Sequence, residues 1–374
     1  MFTGKEIPFV DLKLQYLEHK EEILEALDKV LTSGNYVMGP NLGRFEEEFA
    51  GACGRKYAVG VASGTDALIL SLKAYGIGEG DEVITVPNSF LSSVSCIELI
   101  GAKTVFVDVC EDDYNLDPSK LEEAITEKTK AIIPVHLTGR PAKMEQIIEI
   151  AQKHDLKVVA DAAQAFGSRL NDKPIGAYGD VSCFSFHPLK VLHCYGDGGA
   201  VVTDDKDVYE FFLKARNHGL ISRGENEFWS LNSRLDEVHA ATLLVNMQYI
   251  DKWVEERRNI VQLYRETFSD IEEVKIPEEK DGQFNNYANF IVKVQKRDAL
   301  QAYLKENGID TKVHYETPIH LTRAASAYGY KRGDFPVTDK LSDVILTLPL
   351  YGSVGIEEIQ YIGKLVECFY KNKY

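Results

Sequence analysis

Ser185-Phe186-His187-Pro188-Leu189-Lys190-Val191-Leu192-His193-Cys194-Tyr195-Gly196-Asp197-Gly198-Gly199 is the stretch on which the reading of the chain turns. The apolar run that leads into it, Val181 to Phe186, has the length of a short buried strand. His187-Pro188 ends that strand, because proline has no N–H to donate to a sheet ladder. Lys190 stands two residues past the break, and the glycines beyond it let the backbone approach something bulky. A lone lysine after a strand is ordinarily a solvated charge. Asp161 changes that reading: it ends another buried run, Val158-Val159-Ala160. Gln164 follows three residues later, on the same side of a turn or short helix.

A lysine, a carboxylate and an amide are the side chains a pyridoxal phosphate site requires. The lysine amine forms a Schiff base with the cofactor aldehyde and, once free, shuttles a proton. A carboxylate facing the pyridine nitrogen keeps it protonated, so that the ring acts as an electron sink. The amide hydrogen-bonds the phenolic oxygen of the ring. Lys190, Asp161 and Gln164 are the candidates for these three roles.

Asp161-Ala162-Ala163-Gln164 and Ser185-Phe186-His187-Pro188-Leu189-Lys190, closed by Gly196-Asp197-Gly198-Gly199, resemble the motifs of the DegT/DnrJ/StrS family of sugar aminotransferases. These are pyridoxal phosphate enzymes of the aspartate aminotransferase fold. The resemblance runs from Asp11 to about Tyr370. It implies an α/β protein of the type I transferase fold: a large domain with a mostly parallel sheet flanked by helices, and a smaller C-terminal α+β domain.

Composition is ordinary for a soluble globular protein. A chain of 374 residues has room for more than one domain, and 44% hydrophobic content is ordinary for a packed core. The formal net charge of −16 argues against nucleic acid as a partner, since phosphate binding needs clustered cations. It leaves room for a small nucleotide-bearing substrate. The N-terminus lacks the cationic and apolar regions of a signal peptide, and no stretch has transmembrane length. Six scattered cysteines do not read as a disulfide framework. A cytoplasmic location is expected, with no membrane partner.

Along the chain, Ile23, Leu24, Leu27, Val30 and Leu31 form one helical face, ended by Ser33-Gly34-Asn35. Tyr57 to Ala62 predicts a strand, then Ser63-Gly64-Thr65-Asp66 opens an apolar helix. Strand, small polar turn and helix start make an anion seat. Many helices open with such a cap, but beside Lys190 it becomes the expected seat of the cofactor phosphate, held by Gly64, Thr65, Asp66 and the Ser185 hydroxyl. By resemblance, Asn232 reaches the phosphate from a neighbouring subunit, and Phe90 lies against the cofactor ring. As a bare residue, Phe90 reads equally as core.

Strands expected at Glu82 to Val86, Thr104 to Val107, Ala131 to Val135 and Lys157 to Ala160 alternate with helices, among them Pro118 to Ile125 and Met144 to His154. This rhythm predicts a mainly parallel sheet with helices on both faces, and ligands outside the carboxyl ends of its strands. Ser63, Pro87, Asp161 and Ser185 all fall at such ends. From about residue 246 the pattern changes to a long charged helix, Met247 to Phe268, and an α+β remainder. The expected domains are therefore 1–245 and 246–374.

His314-Tyr315-Glu316-Thr317-Pro318-Ile319-His320 gathers ring side chains suited to a polar sugar or its diphosphate. No acid or thiol stands at ligand spacing to make His-x5-His a metal site. His314, Tyr315 and His320, with His187 and Tyr195 beside the lysine, form the expected substrate-facing set. The resemblance implies amino transfer from L-glutamate to a nucleotide-linked keto-deoxysugar, in a ping-pong cycle, by a homodimer with shared sites. Such products belong to amino sugar biosynthesis, as for O-antigen lipopolysaccharide. A dehydratase of the family would carry histidine in place of Lys190. A lyase is disfavoured by the His314 to His320 element, and a non-catalytic regulator would have lost Lys190, Asp161 or the phosphate turn.

Overall fold

The computed structural model describes residues 6–371. Seven strands form the main sheet, in the order Tyr57–Val61, Gly199–Thr203, Val181–Ser185, Lys157–Asp161, Thr129–Ile132, Glu82–Thr85, Lys103–Phe106. Gly199–Thr203 alone runs against the others, returning beside both Val181–Ser185 and Tyr57–Val61. The remaining neighbours pair in parallel.

The pleat sends successive side chains to opposite faces, and both faces are buried. Val59, Val83, Ala131, Val159, Val181 and Val201 enter one core. Ala58, Ile84, Ile132, Ala160, Phe184 and Val202 enter the other. Helices Gly64–Ala74, Ser92–Glu98 and Lys206–Ala215 cover the first face through Leu68, Ile97 and Phe212. Pro40–Ala52, Met144–Lys153 and Glu237–Met247 cover the second through Phe49, Ile147 and Leu243.

A further core stands on a three-stranded antiparallel sheet, Val274–Lys275, Phe290–Val294 and Ile345–Leu348. Helices Ile250–Thr267, Arg297–Glu306 and Ile356–Lys371 pack on it through Tyr264, Leu304 and Ile362. Trp253 and Val254, from the start of the first of these helices, belong instead to the large core. That one helix therefore joins the two.

Several expected elements differ in detail. The helix expected over Met247 to Phe268 starts three residues later: the chain turns at Gln248-Tyr249 between Glu237–Met247 and Ile250–Thr267. The first is apolar around most of its circumference and buried, while charge alternates only in the second. Pro118 to Ile125 splits into a 3₁₀ turn, Pro118–Lys120, and one α-turn, Leu121–Ala124. In the helix Lys20–Ser33, Ile23 and Val30 are buried but Leu24 and Leu31 face outward, leaving an apolar flank open. No helix among the described residues is long and apolar enough to cross a membrane.

Candidate active site

The carboxyl ends of the parallel strands open onto a cavity of about 430 Å³. Lys190 reaches it from a loop that is pinned at both ends. Phe186 N donates to Gly198 O at 2.8 Å, and Cys194 N donates to Phe186 O at 2.8 Å. Lys190 N itself donates to His187 O at 2.8 Å. Burial pulls the Lys190 ammonium below the usual lysine range, and Asp161 partly restores it.

Asp161 ends its strand with the side chain lining the same cavity. Ser93 Oγ donates to its Oδ2 at 2.7 Å, and Ala163 N donates to its Oδ1 at 3.2 Å. Burial raises the carboxyl, while these two donors and Lys190 favour the carboxylate. Gln164 is held on both sides of its amide: Thr138 N donates to Oε1 at 2.8 Å, and Nε2 donates to the Tyr315 hydroxyl at 3.3 Å. Thr138 offers that N–H from a left-handed backbone, φ 63°.

The turn after Tyr57–Val61 leads straight into a capped helix. Ser63 Oγ caps the helix Gly64–Ala74 by accepting from Asp66 N at 3.1 Å. The first N–H groups of that helix have no partner within it. Two glycines permit the packing: a Cβ on Gly64 would lie 2.8 Å from Ser185 Cβ, and one on Gly199 would lie 2.4 Å from the Ser63 carbonyl carbon. Ser63, Gly64, Thr65 and Ser185 all line the cavity, with Thr65 Oγ1 2.8 Å from Ser92 Oγ. Asp66 does not line it; Ser233 Oγ donates to its Oδ2 at 2.7 Å. Asn232 also lies elsewhere, exposed, in a bridge with Asn217.

Of the residues expected to face substrate, His187, His314 and Tyr315 line the cavity, as do Phe90 and Leu189. Phe90 is 55% exposed, its ring 6.1 Å from that of Tyr315. His314 Nδ1 lies 2.9 Å from Thr347 Oγ1; burial, with Lys190 and Lys312 nearby, holds its pKa down to about 4. Tyr195 packs edge-on against Tyr16 and His193 instead. His320 is buried against Phe335, 3.3 Å from Asp339. Neither lines the cavity.

The structure adds residues that the motifs did not single out. Ser93 holds Asp161, and Asn289 Nδ2 comes within 3.5 Å of Gln164 Oε1. Phe9, Val10 and Arg257 also line the cavity. Phe9 and Val10 adjoin the Asp11 at which the family resemblance begins; nothing local marks Ser93, Asn289 or Arg257.

A helix start at Gly64, the buried Asp161 carboxylate and a lysine of lowered pKa on one cavity are groups of the kind that pyridoxal phosphate needs. Residues 17–367 match the model of the DegT/DnrJ/EryC1/StrS aminotransferase family. The chain belongs to that family. It is 40% identical to a pleiotropic regulatory protein of Geobacillus stearothermophilus, over 98% of this chain and 99% of that one. It is equally 40% identical to dTDP-3-amino-3,6-dideoxy-α-D-galactopyranose transaminase of Aneurinibacillus thermoaerophilus, covering 97% and 99%. The solved structure of DesV from Streptomyces venezuelae superposes with a TM-score of 0.95 at 38% identity, covering 97% of this chain and 98% of that one. The family depends on pyridoxal phosphate, and solved relatives include its aldehyde and amine forms. The protein is thus a pyridoxal phosphate-dependent aminotransferase of type I fold, with sugar transaminases among its relatives.

Proposed function

We propose that this enzyme moves an amino group from L-glutamate to a nucleotide-linked keto-deoxysugar, in a ping-pong cycle, for amino sugar biosynthesis in the cytoplasm. The observation that carries the reading is Lys190 and Asp161 on one cavity with a helix-start anion seat. The transaminase names of the Aneurinibacillus and Streptomyces relatives support a nucleotide sugar as acceptor.

Pyridoxal phosphate, when bound, supplies an electron sink for the pair left at the substrate carbon. Gly64, Thr65 and Ser185 seat its phosphate. Asp161 places negative charge against the ring nitrogen, and Ser93 and the Ala163 N–H hold that carboxylate in position. Gln164, whose Oε1 accepts from Thr138 N, would offer its amide N–H to the phenolic oxygen. Lys190 would hold the aldehyde carbon and, as the free amine, would move the proton at the substrate carbon. Its lowered pKa leaves more of the neutral base near pH 7 than an exposed lysine has. His314 stays neutral there, a hydrogen-bonding rather than a charged wall for the sugar. Phe90, Leu189, Phe9 and Val10 make an apolar rim that limits water.

A homodimer with shared sites completes this reading. Trp229 is 88% exposed and Leu231 is also open, on the segment that presents Asn232. Exposed apolar side chains so placed support a partner surface, from which Asn232 would reach the neighbour's phosphate seat. Residues 1–245 and 246–374 are taken as the two domains. The regulatory name of the Geobacillus relative raises a non-catalytic reading, but retention of Lys190, Asp161 and the phosphate turn weighs against it.

The test is the absorption spectrum of the purified protein with pyridoxal phosphate, before and after L-glutamate. A violet band that moves to the near ultraviolet supports transamination, and keto-sugar nucleotides should then restore it. A band that no amino acid shifts would overturn the reading.

A further inference from the structure

The cavity has a second fixed cation besides Lys190. Arg257, on the helix Ile250–Thr267, is buried and lines the cavity. Its Nη1 donates to Tyr287 O at 3.1 Å and to Leu350 O at 3.3 Å. Nε and Nη2 make no hydrogen bond among the described residues, and no carboxylate there lies within ion-pair distance of the guanidinium. Glu256, next to it in sequence, pairs with Lys252 at 3.7 Å. Two carbonyl dipoles do not neutralise a full charge, and a buried unpaired charge is costly. Burial accordingly brings the Arg257 pKa down to about 10.

An amino donor brings a carboxylate into this cavity. The cofactor phosphate is met by a helix start, and Lys190 is committed to the aldehyde carbon. Among the ring side chains on the wall, burial holds His136 and His314 neutral, at about 3 and about 4, and burial with Lys190 nearby also lowers His187. That leaves one guanidinium. Resting on the aminotransferase reading above, we propose that Arg257 is the docking residue for a carboxylate of the amino donor. Its planar fork suits two carboxylate oxygens better than a point charge does.

Glutarate tests this without turnover, since it has the carboxylates of glutamate and no amine to react. Its binding to the holoenzyme is measured by calorimetry for the parent, Arg257→Gln and Arg257→Lys. Loss of a charge-assisted pair should weaken glutarate at least about tenfold in Arg257→Gln. The L-glutamate concentration for half-conversion of the violet band should rise in parallel. Pyridoxal phosphate affinity, which a merely structural role would move, stays within about twofold. Unchanged glutarate binding, or an equal loss of glutarate and cofactor binding, overturns the assignment. Should Arg257→Gln not fold, Arg257→Lys must weaken glutarate several-fold, and unchanged binding again overturns it. A parent that binds glutarate but is converted by no amino acid loses the aminotransferase reading and keeps Arg257 as a carboxylate site. A parent converted by glutamate that binds no glutarate does the reverse.

Discussion

Ser93 Oγ donates to Asp161 Oδ2 at 2.7 Å from a helix 68 residues earlier in the chain. With Ala163 N donating to Oδ1 at 3.2 Å, it holds the carboxylate in one orientation at the cavity wall. A hydrogen bond to a charged group contributes about 1.5–3 kcal/mol. Ser93→Ala should therefore raise the pyridoxal phosphate dissociation constant roughly 10- to 100-fold, while Ser93→Thr keeps the donor and stays near the parent. An absorbance titration of both variants decides it; equal affinities would remove Ser93 from the site.

Lys190→Ala should still bind pyridoxal phosphate through Gly64 and Asp161, with the violet band replaced by that of the free aldehyde. Turnover should fall by about 10²- to 10⁴-fold or more, the usual contribution of a positioned acid–base group. Added ethylamine, small enough to enter the vacated space, should recover part of it. A variant that keeps full turnover would assign the chemistry to another group.

The packing of Gly199 against Ser63 can be tested by one methyl group. In Gly199→Ala the new carbon would lie 2.4 Å from the Ser63 carbonyl carbon and 2.7 Å from Gly64 N, so the phosphate turn must shift. Overpacking of this kind costs about 1–3 kcal/mol of stability. Pyridoxal phosphate should lose more affinity than pyridoxal, which lacks the phosphate. Equal losses for the two ligands would place the damage elsewhere.

Acid should destabilise the fold through buried histidines. Burial holds His136 to about 3, and His193 and His314 to about 4, against roughly 6.5 in an unfolded chain. Between about pH 6.5 and 4 the unfolded chain binds more protons, up to about three near pH 5, so stability falls as pH falls through that window. Urea midpoints from pH 7 to pH 5 should drop steeply, and less so in His193→Gln. A flat profile in the apoprotein falsifies the neutral-histidine account.

Shared sites predict complementation. Lys190→Ala and Asn232→Ala should each be nearly inactive as homodimers. Mixed after partial unfolding, they should form hybrids in which one site has both residues intact, recovering up to about a quarter of parental activity by random pairing. An active species that sediments as a monomer, or mixtures with no recovery, would remove Asn232 from the neighbour's site.

What could be read without coordinates follows from how locally each feature is encoded. Lys190 beyond its strand break, Asp161 with Gln164, and the capped turn at Ser63 each announce themselves within a few residues, because strand ends and helix starts have local rules. The parallel sheet follows from the alternation of strand and helix. Ser93 and Arg257 carry no local mark: one is an ordinary helix serine and the other sits in a charged helix. Their meaning comes from which strand end or carbonyl each one meets. Tyr195 and His320 show the opposite limit, ring side chains next to the right motifs that the fold turns into other packing. The change of pattern near residue 246 foretells the break, but its exact place at Gln248-Tyr249 carries neither proline nor glycine to mark it.

The cavity wall is drawn from both ends of the chain: Phe9 and Val10 near the start, and Asn289, His314, Tyr315 and Leu348 near the finish. The strand that places Leu348 also pairs with Phe290–Val294, next to Asn289. On the ribosome, Lys190 and Asp161 emerge long before the chamber around them can close. Cofactor capture thus waits until the strand Ile345–Leu348 is in place beside Phe290–Val294. Nascent chains stalled before residue 345 should leave pyridoxal phosphate free, and chains released at full length should retain it.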